Sequence, residues 1–185
     1  MALTFTPEAE MGTSCPDFQL PATDGKIYRR SDFQIGKPVV ILFICNHCPY
    51  VQAIEDRLIQ LGHDLKELGI PMIAISSNDG QEYPEDNFEN MRSRAQDKKY
   101  SFLYLHDETQ EVAQRFGAVC TPDFFVYDSQ MNLAYRGRLD DSWKDPKKVT
   151  RRELFEAVQL LAQNKALSAK QTPSMGCNIK WINRK

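Results

Sequence analysis

The sequence predicts an α/β fold in which a mixed central sheet is flanked by helices, with an N-terminal β-hairpin and one inserted helix. Three observations predict it. Val39-Val40-Ile41-Leu42-Phe43-Ile44 is a continuous apolar run, which suits a strand buried on both faces, as in a parallel sheet. After it, Val51, Ile54, Leu58, Leu61, Leu65 and Leu68 recur at spacings of 3, 4, 3, 4 and 3, which is one face of a helix. Met72 to Ser76 is a second buried run, and strand–helix–strand requires a right-handed crossover and a parallel pair.

The remaining elements follow in order. Residues 16 to 36 read as a short hairpin: Phe18 and Leu20 alternate with polar neighbours, Asp24-Gly25 is a turn, and Ile27 and Tyr28 return. Pro49 suits the first turn of the long helix, where a missing N–H costs nothing, and Gly69 suits its end. Asn78-Asp79-Gly80 marks a loop, and Pro84 to Ala95 is expected to form the inserted surface helix. Phe102 to Leu105 reads as a strand and Thr109 to Phe116 as a helix stopped by Gly117. Phe124 to Tyr127 and Leu133 to Arg136 read as antiparallel strands around Asp128-Ser129-Gln130, a hairpin that makes the sheet mixed. Thr150-Arg151-Arg152-Glu153 has the pattern of a capping box, with Val149 and Leu154 placed for a hydrophobic staple, opening a last helix to about Asn164. The tail from about 165 lacks periodicity but ends in Cys177, Ile179 and Trp181, so it is expected to dock on the domain. No internal repeat or low-complexity segment interrupts the 185 residues, which read as one domain.

Composition excludes several function classes. Apolar content is 42% and charged content 26%, ordinary for a globular domain. A net charge of −2 gives no electrostatic case for nucleic acid or an anionic membrane as partner. No apolar run approaches the roughly 20 residues needed to cross a bilayer. Met1 to Met11 lacks a basic-then-apolar leader pattern, so a cytoplasmic location is expected. The five cysteines (Cys15, Cys45, Cys48, Cys120 and Cys177) are an odd number and cannot all pair within the chain. In a reducing cytosol a close pair is catalytic or metal-binding more often than a structural staple.

That close pair is Cys45-Asn46-His47-Cys48, set where the apolar strand hands over to the helix. Unpaired N–H groups at a helix start carry partial positive charge and stabilise a thiolate. Cysteines so placed have pKa values of roughly 3.5–7.5 against about 8.5 for a free one. His47, if protonated, adds positive charge and donates to sulfur. The expected cycle has Cys45, pointing outward, as nucleophile and Cys48, covered by the helix, as resolving thiol. A stabilised thiolate favours the reduced pair and makes the disulfide a better oxidant. Two other readings stand beside this one: an inert buried pair, and a metal site in which Cys45, Cys48 and His47 supply soft and borderline ligands. Three neighbours within four residues give poor tetrahedral geometry. The second marker is Thr121-Pro122, a proline directly before the apolar strand Phe124-Phe125-Val126, where strand propensity does not call for one. A cis bond accounts for it.

Together these residues resemble the thioredoxin-like superfamily and, within it, bacterial redoxins of the alkyl hydroperoxide reductase/thiol-specific antioxidant (AhpC/TSA) type. The resemblance is carried by Pro16-Asp17-Phe18 with Asp24-Gly25-Lys26, by Phe43-Ile44-Cys45-Asn46-His47-Cys48-Pro49-Tyr50-Val51, and by Tyr83-Pro84-Glu85-Asp86. It continues through Asp107 to Val112, Gly117 to Phe125, Gly137 to Ser142, and Met175-Gly176-Cys177. It implies a thioredoxin-like fold with a cis Pro122 beside the dithiol, and a Thr121 backbone that offers itself to a substrate peptide. It also implies a disulfide or peroxide substrate, a thioredoxin- or glutathione-type electron donor, and neither cofactor nor metal. Peroxiredoxins carry Thr or Ser three positions before the peroxidatic cysteine; here Leu42 stands three before Cys45, and Cys45 three before Cys48. Disulfide exchange is therefore the first expectation and peroxide reduction the second.

In such a fold Cys120 lies near the active face and Cys177 is able to reach it, through a Cys120–Cys177 disulfide or a relay outward from Cys45. The remaining candidates have bland readings: Cys15 as packing, His63 as solvated, His106 as structural, Asp140 and Asp141 as a turn or cap. Arg136 and Arg138 are expected in surface pairs, and Trp143 and Trp181 as packing anchors. No phosphate loop, zinc-hydrolase helix or serine elbow is present.

Overall fold

The computed structural model describes residues 3–34, 36–167 and 170–183. Positions 35, 168 and 169 of the stretches read above as hairpin and tail, and the first and last two positions of the chain, lie outside the described residues. At the centre is β4 (Val39–Phe43), five residues without exposed surface. Its alternation splits the protein into two cores. Val40 and Leu42 face one cluster with Val51, Ile54, Leu58, Leu61 and Leu65 of α1 (Pro49–Glu67). Val39, Ile41 and Phe43 face another with Phe18, Leu20, Phe116 and Phe125. A strand buried on both faces tolerates no polar residue, which is why the run is unbroken.

The parallel crossover forms as expected. Strand β4 pairs parallel with β5 (Met72–Ser76), which pairs parallel with β6 (Leu103–His106). On its other edge β4 pairs antiparallel with β8 (Asp123–Tyr127), and β8 with β9 (Leu133–Tyr135). The five-stranded order is β6-β5-β4-β8-β9. The N-terminal hairpin is β2 (Gln19–Pro21) with β3 (Ile27–Arg29). Helix α1 ends before Gly69, whose φ of +63° suits glycine, and Leu68, outside the helix, is exposed. No helix among the described residues is long and apolar enough to cross a membrane.

Four expectations need correction. The inserted helix is not continuous from Pro84: a 3-10 turn (Pro84–Asp86) comes first, Asn87 turns extended and caps the chain with its side chain, and α2 runs Phe88–Asp97. The helix expected from Thr109 starts at Glu111 (α3, Glu111–Phe116) because Gln110 takes a left-handed conformation with φ of 64°. The capping box does not form, and the staple geometry it implied goes with it. Helix α4 (Glu153–Ala162) starts after Arg152 with no side-chain cap. The Thr150 hydroxyl donates to Asp141 instead, and Glu153 accepts from Arg138. Arg136 is not in a surface pair. It is buried, 2.9 Å from the fully buried Asp123, over the ring of Phe125. Burial pushes the Asp123 carboxyl up to about 6 against the pull of Arg136. Arg136→Met strands that carboxylate. Chemical denaturation at neutral pH is expected to show a loss of about 3–5 kcal/mol, and part of it returns at lower pH as Asp123 takes up a proton.

Three short strands were not foreseen. The chain start, β1 (Leu3–Phe5), and the tail strand β10 (Met175–Asn178) are antiparallel partners. On its other side β10 pairs with β7 (Cys120–Thr121). The tail therefore docks as a strand, wedged between the chain start and the segment before Pro122.

Candidate active site

Five residues, Ile44 to Cys48, connect β4 to α1. Pro49 occupies the first helical turn, so Cys48, extended at φ −72° and ψ 119°, is the N-cap. The helix amides therefore face Cys48 rather than Cys45. Cys45 is also not outward-pointing: it is 1% exposed and Cys48 0%. Each correction has its own cause. The helix starts a turn later than a Cys45 N-cap requires, and the loop folds inward onto a buried acid.

That acid is Asp86, fully buried at the end of the 3-10 turn. One of its oxygens accepts from the Asn46 amide at 2.7 Å and the His47 amide at 3.1 Å. The other meets His47 Nδ1 at 2.5 Å and accepts from Asn78 Nδ2 at 2.7 Å. The loop is anchored further by the Asn46 side chain donating to the Glu85 carbonyl, and by Gln52 donating to the Asn46 carbonyl. His47 thus pairs with Asp86 rather than with a sulfur, its ring stacked on Tyr83 at 5.1 Å. Its Nε2 is buried without a partner among the described residues. In the sequence, Tyr83-Pro84-Glu85-Asp86 carries part of the family resemblance, but the residue pattern assigns Asp86 no role. The available signal was a lone acid closing a proline-initiated turn in a polar segment.

Thr121 and Pro122 lie where expected, beside the dithiol, and their peptide bond is cis. The Thr121 hydroxyl is 3.4 Å from Cys45 Sγ, and the Thr121 carbonyl is 3.1 Å from Cys48 Sγ. These contacts and the helix decide where the pair holds its charge. The hydrogen bond from the Cys45 thiol lowers Cys48 most; burial opposes it, and the amides of Val51 and Cys177 and the Thr121 hydroxyl add to it, bringing Cys48 to about 5. Its sulfur falls short of a full capping bond, so Val51 acts without closing one. The Thr121 carbonyl favours a protonated Cys48, but a single acceptor is outnumbered by four donors. Cys45 is pushed well above the ordinary range, first by giving its hydrogen bond to Cys48, then by burial and by the negative charge of Asp86. The two sulfurs are therefore shifted in opposite directions, Cys48 down and Cys45 up.

The other cysteines separate. Cys15 is buried in the second core, as packing. In the β10–β7 ladder Cys177 stands opposite Thr121, whereas Cys120 stands opposite Asn178. Residues directly opposite share a face and successive residues alternate. Cys177 therefore points with Thr121 toward the dithiol and Cys120 points away, its thiol 3.6 Å from the Pro122 carbonyl. A Cys120–Cys177 disulfide does not suit this register.

The remaining candidates fall outside the site. His63 is exposed. His106 stacks on Phe88. Asp140 receives Arg57 at 2.5 Å, and Asp141 caps Thr150 and Arg151. Trp143 and Trp181 are not core anchors, at 42% and 38% exposed; Trp143 packs against Tyr50.

The donor atoms of Cys45, His47 and Asp86 lie within 4.8 Å of one another, close enough to share a cation. Asp86 takes the place that the sequence reading gave Cys48. Both Asp86 oxygens already accept two hydrogen bonds each, so an ion would have to displace donors that shape the loop. A cleft of about 170 Å³ beside Pro122 is lined by Tyr50, Ile54, Leu139, Trp143, Pro173 and Met175. Another cleft, of about 710 Å³, lies against Tyr100 and Phe102 and is not lined by a cysteine.

Residues 11–136 match the family model described as AhpC/TSA family. An uncharacterised conserved protein of Geobacillus kaustophilus is 38% identical with a TM-score of 0.94, over 100% of this chain and 99% of that one. The thioredoxin domain of a thiol-disulfide oxidoreductase from Bacteroides vulgatus is 14% identical with a TM-score of 0.64, over 84% and 99%. The peroxidoxin BcpB of Mycobacterium tuberculosis is 18% identical with a TM-score of 0.63, over 86% and 100%. No curated protein matches. The last two likenesses show the fold, which is thioredoxin-like, and the family match spans more than half the sequence. The chain belongs to the AhpC/TSA family.

Proposed function

We propose that this protein is a thiol–disulfide oxidoreductase working through Cys45 and Cys48. The observation that carries the proposal is the placement of the pair: two buried cysteines three positions apart, Cys48 at the N-cap of α1, and both in contact with Thr121 directly before the cis Pro122. An inert buried pair has both thiols raised, as Cys15 is, to about 12.

We assign the roles the other way round from the motif, because Cys48 is the sulfur at the helix N-cap and the one whose pKa is lowered. The Cys48 thiolate attacks a disulfide R–S–S–R′, forming Cys48–S–S–R and releasing R′S⁻. Cys45 then gives up its proton and attacks the Cys48 sulfur, expelling RS⁻ and leaving the Cys45–Cys48 disulfide. Two electrons have passed to the substrate, and a dithiol donor of thioredoxin or glutathione type returns them. A stabilised thiolate favours the reduced pair, so the disulfide is oxidising for its class. Protein or small-molecule disulfides are the substrate class, and a reducing compartment such as the cytosol is where the reduced pair persists. The test is turnover of insulin or a model disulfide with dithiothreitol as donor. Turnover no faster than an equal amount of free thiol sinks the proposal.

Peroxide reduction is the second reading. It is favoured by the Thr121 hydroxyl, which reaches the sulfurs from β7 and so supplies the donor missing from the loop itself. Stopped-flow mixing of the reduced protein with hydrogen peroxide decides it, and a rate no greater than that of a free thiol eliminates it.

A further inference from the structure

We infer that Cys177 is a third redox thiol, which exchanges disulfides with Cys48. The inference rests on the dithiol reading above and deepens it by giving the site a partner within its own chain.

Three placements support it. First, β10 lies antiparallel on β7 with Cys177 opposite Thr121, the residue whose carbonyl touches Cys48 Sγ. Adding a strand to a sheet edge is how an extended peptide docks, with backbone bonds giving affinity and side chains giving register. The tail thus holds Cys177 as a docked peptide would hold its own cysteine. Second, the close approach is built in. A Cβ on Gly176 would collide with the Thr121 carbonyl, so glycine lets β10 lie flat against the residue before Pro122. The Ser174 hydroxyl donates to the Pro122 carbonyl at 3.0 Å and the Ser174 amide to the Thr6 hydroxyl at 3.0 Å, fixing the strand from its other end. Third, Cys177 is buried in the same core cluster as Cys45 and Cys48, at 2% exposed.

The exchange needs no reagent beyond the disulfide that first oxidises the pair. The Cys177 sulfur loses its proton and attacks Cys48 Sγ. The Cys48–Cys177 bond forms as the Cys45–Cys48 bond breaks, and Cys45 leaves as a thiolate that takes up a proton. One disulfide and one thiol remain throughout, so the net oxidation is unchanged. The order of events follows from charge. While Cys48 is an anion it opposes a second anion at Cys177, and once Cys48 is in a disulfide that opposition is gone.

The test uses the full-length protein, its Cys45→Ser and Cys177→Ser variants, and oxidised glutathione as oxidant, with non-reducing peptide mapping by mass spectrometry. Cys45→Ser is expected to convert most of its Cys48 to a Cys48–Cys177 disulfide. Wild type is expected to yield both Cys45–Cys48 and Cys48–Cys177 linkages, and Cys177→Ser only the former. If folded Cys45→Ser accumulates only a glutathione adduct at Cys48, the inference is overturned while the dithiol reading stands. If Cys177→Ser forms no Cys45–Cys48 bond, the dithiol reading fails instead, whatever Cys177 does. Gly176→Ala lifts β10 from β7 without touching a sulfur, and it is expected to cut the Cys48–Cys177 yield several-fold. An undiminished yield argues that the strand does not present the thiol.

Discussion

Cys48→Ser is expected to remove disulfide turnover by at least about 10³-fold, leaving only background thiol exchange. The loss has two sources. The serine hydroxyl is not ionised at neutral pH, so the attacking anion is gone. The helix N-cap and the Val51 amide then stabilise nothing that reacts. Cys45→Ser has a different signature. It keeps the helix-facing sulfur and first-step chemistry, so Cys48 still forms a mixed disulfide, but Cys45 no longer resolves it and any resolution falls to Cys177. If instead Cys48→Ser retained a substrate adduct on Cys45 and Cys45→Ser did not react at all, the roles would be those the motif alone suggested.

Asp86→Asn is expected to lower turnover by roughly 10²-fold, because misplacing a reacting group by about 1 Å costs that much. The substitution keeps the shape but removes the charge that receives two loop amides, His47 and Asn78. Hydrogen bonds to a charged partner contribute roughly 1.5–3 kcal/mol each, and an amide oxygen replaces only some of them. A stability loss of about 3 kcal/mol is expected in denaturant titration. The charge of Asp86 also helps hold Cys45 protonated. Its removal lets Cys45 compete for the shared charge, and the single acidic transition of the pair should broaden. Unchanged stability and an unchanged transition would show that Asp86 is not the hub of the loop.

Both effects depend on features of unequal legibility in the sequence. The β4–α1–β5 crossover was readable because a 3,4 spacing and two unbroken apolar runs each admit one periodicity. The tail strand was not. Met175–Asn178 is four residues long, and its strand character comes from pairing with β1, at least 170 positions distant, and with β7, more than 50 positions distant. The hub at Asp86 was hidden for the same reason, since its partners lie 39 and 40 positions earlier as well as nearby. The place of the anion was within reach. Pro49 at the first helical turn makes its predecessor the N-cap, and that predecessor is Cys48. Reading the motif as a unit gave the amides to Cys45, whereas the proline assigns them one turn later. The capping pattern at Thr150 misled because Asp141, nine positions earlier, competes for the same hydroxyl.

The opposite shifts of the two sulfurs also set how stability changes with pH. Cys48 binds its proton less tightly folded than unfolded. Its contribution to the reduced fold therefore grows as pH rises from about 5 towards the ordinary 9.0, and vanishes as pH falls through about 5. Cys45, raised, acts in the opposite sense above 9.0.

The most direct test is a pH titration of the reduced protein, following thiolate ultraviolet absorbance, in wild type and in Cys48→Ser. The predicted result is a rise equivalent to one thiolate with a midpoint near 5 in wild type, absent from Cys48→Ser. An ordinary alkaline midpoint for every thiol in wild type, or an acidic transition that survives in Cys48→Ser, would contradict an anion held at the helix start by its neighbouring thiol.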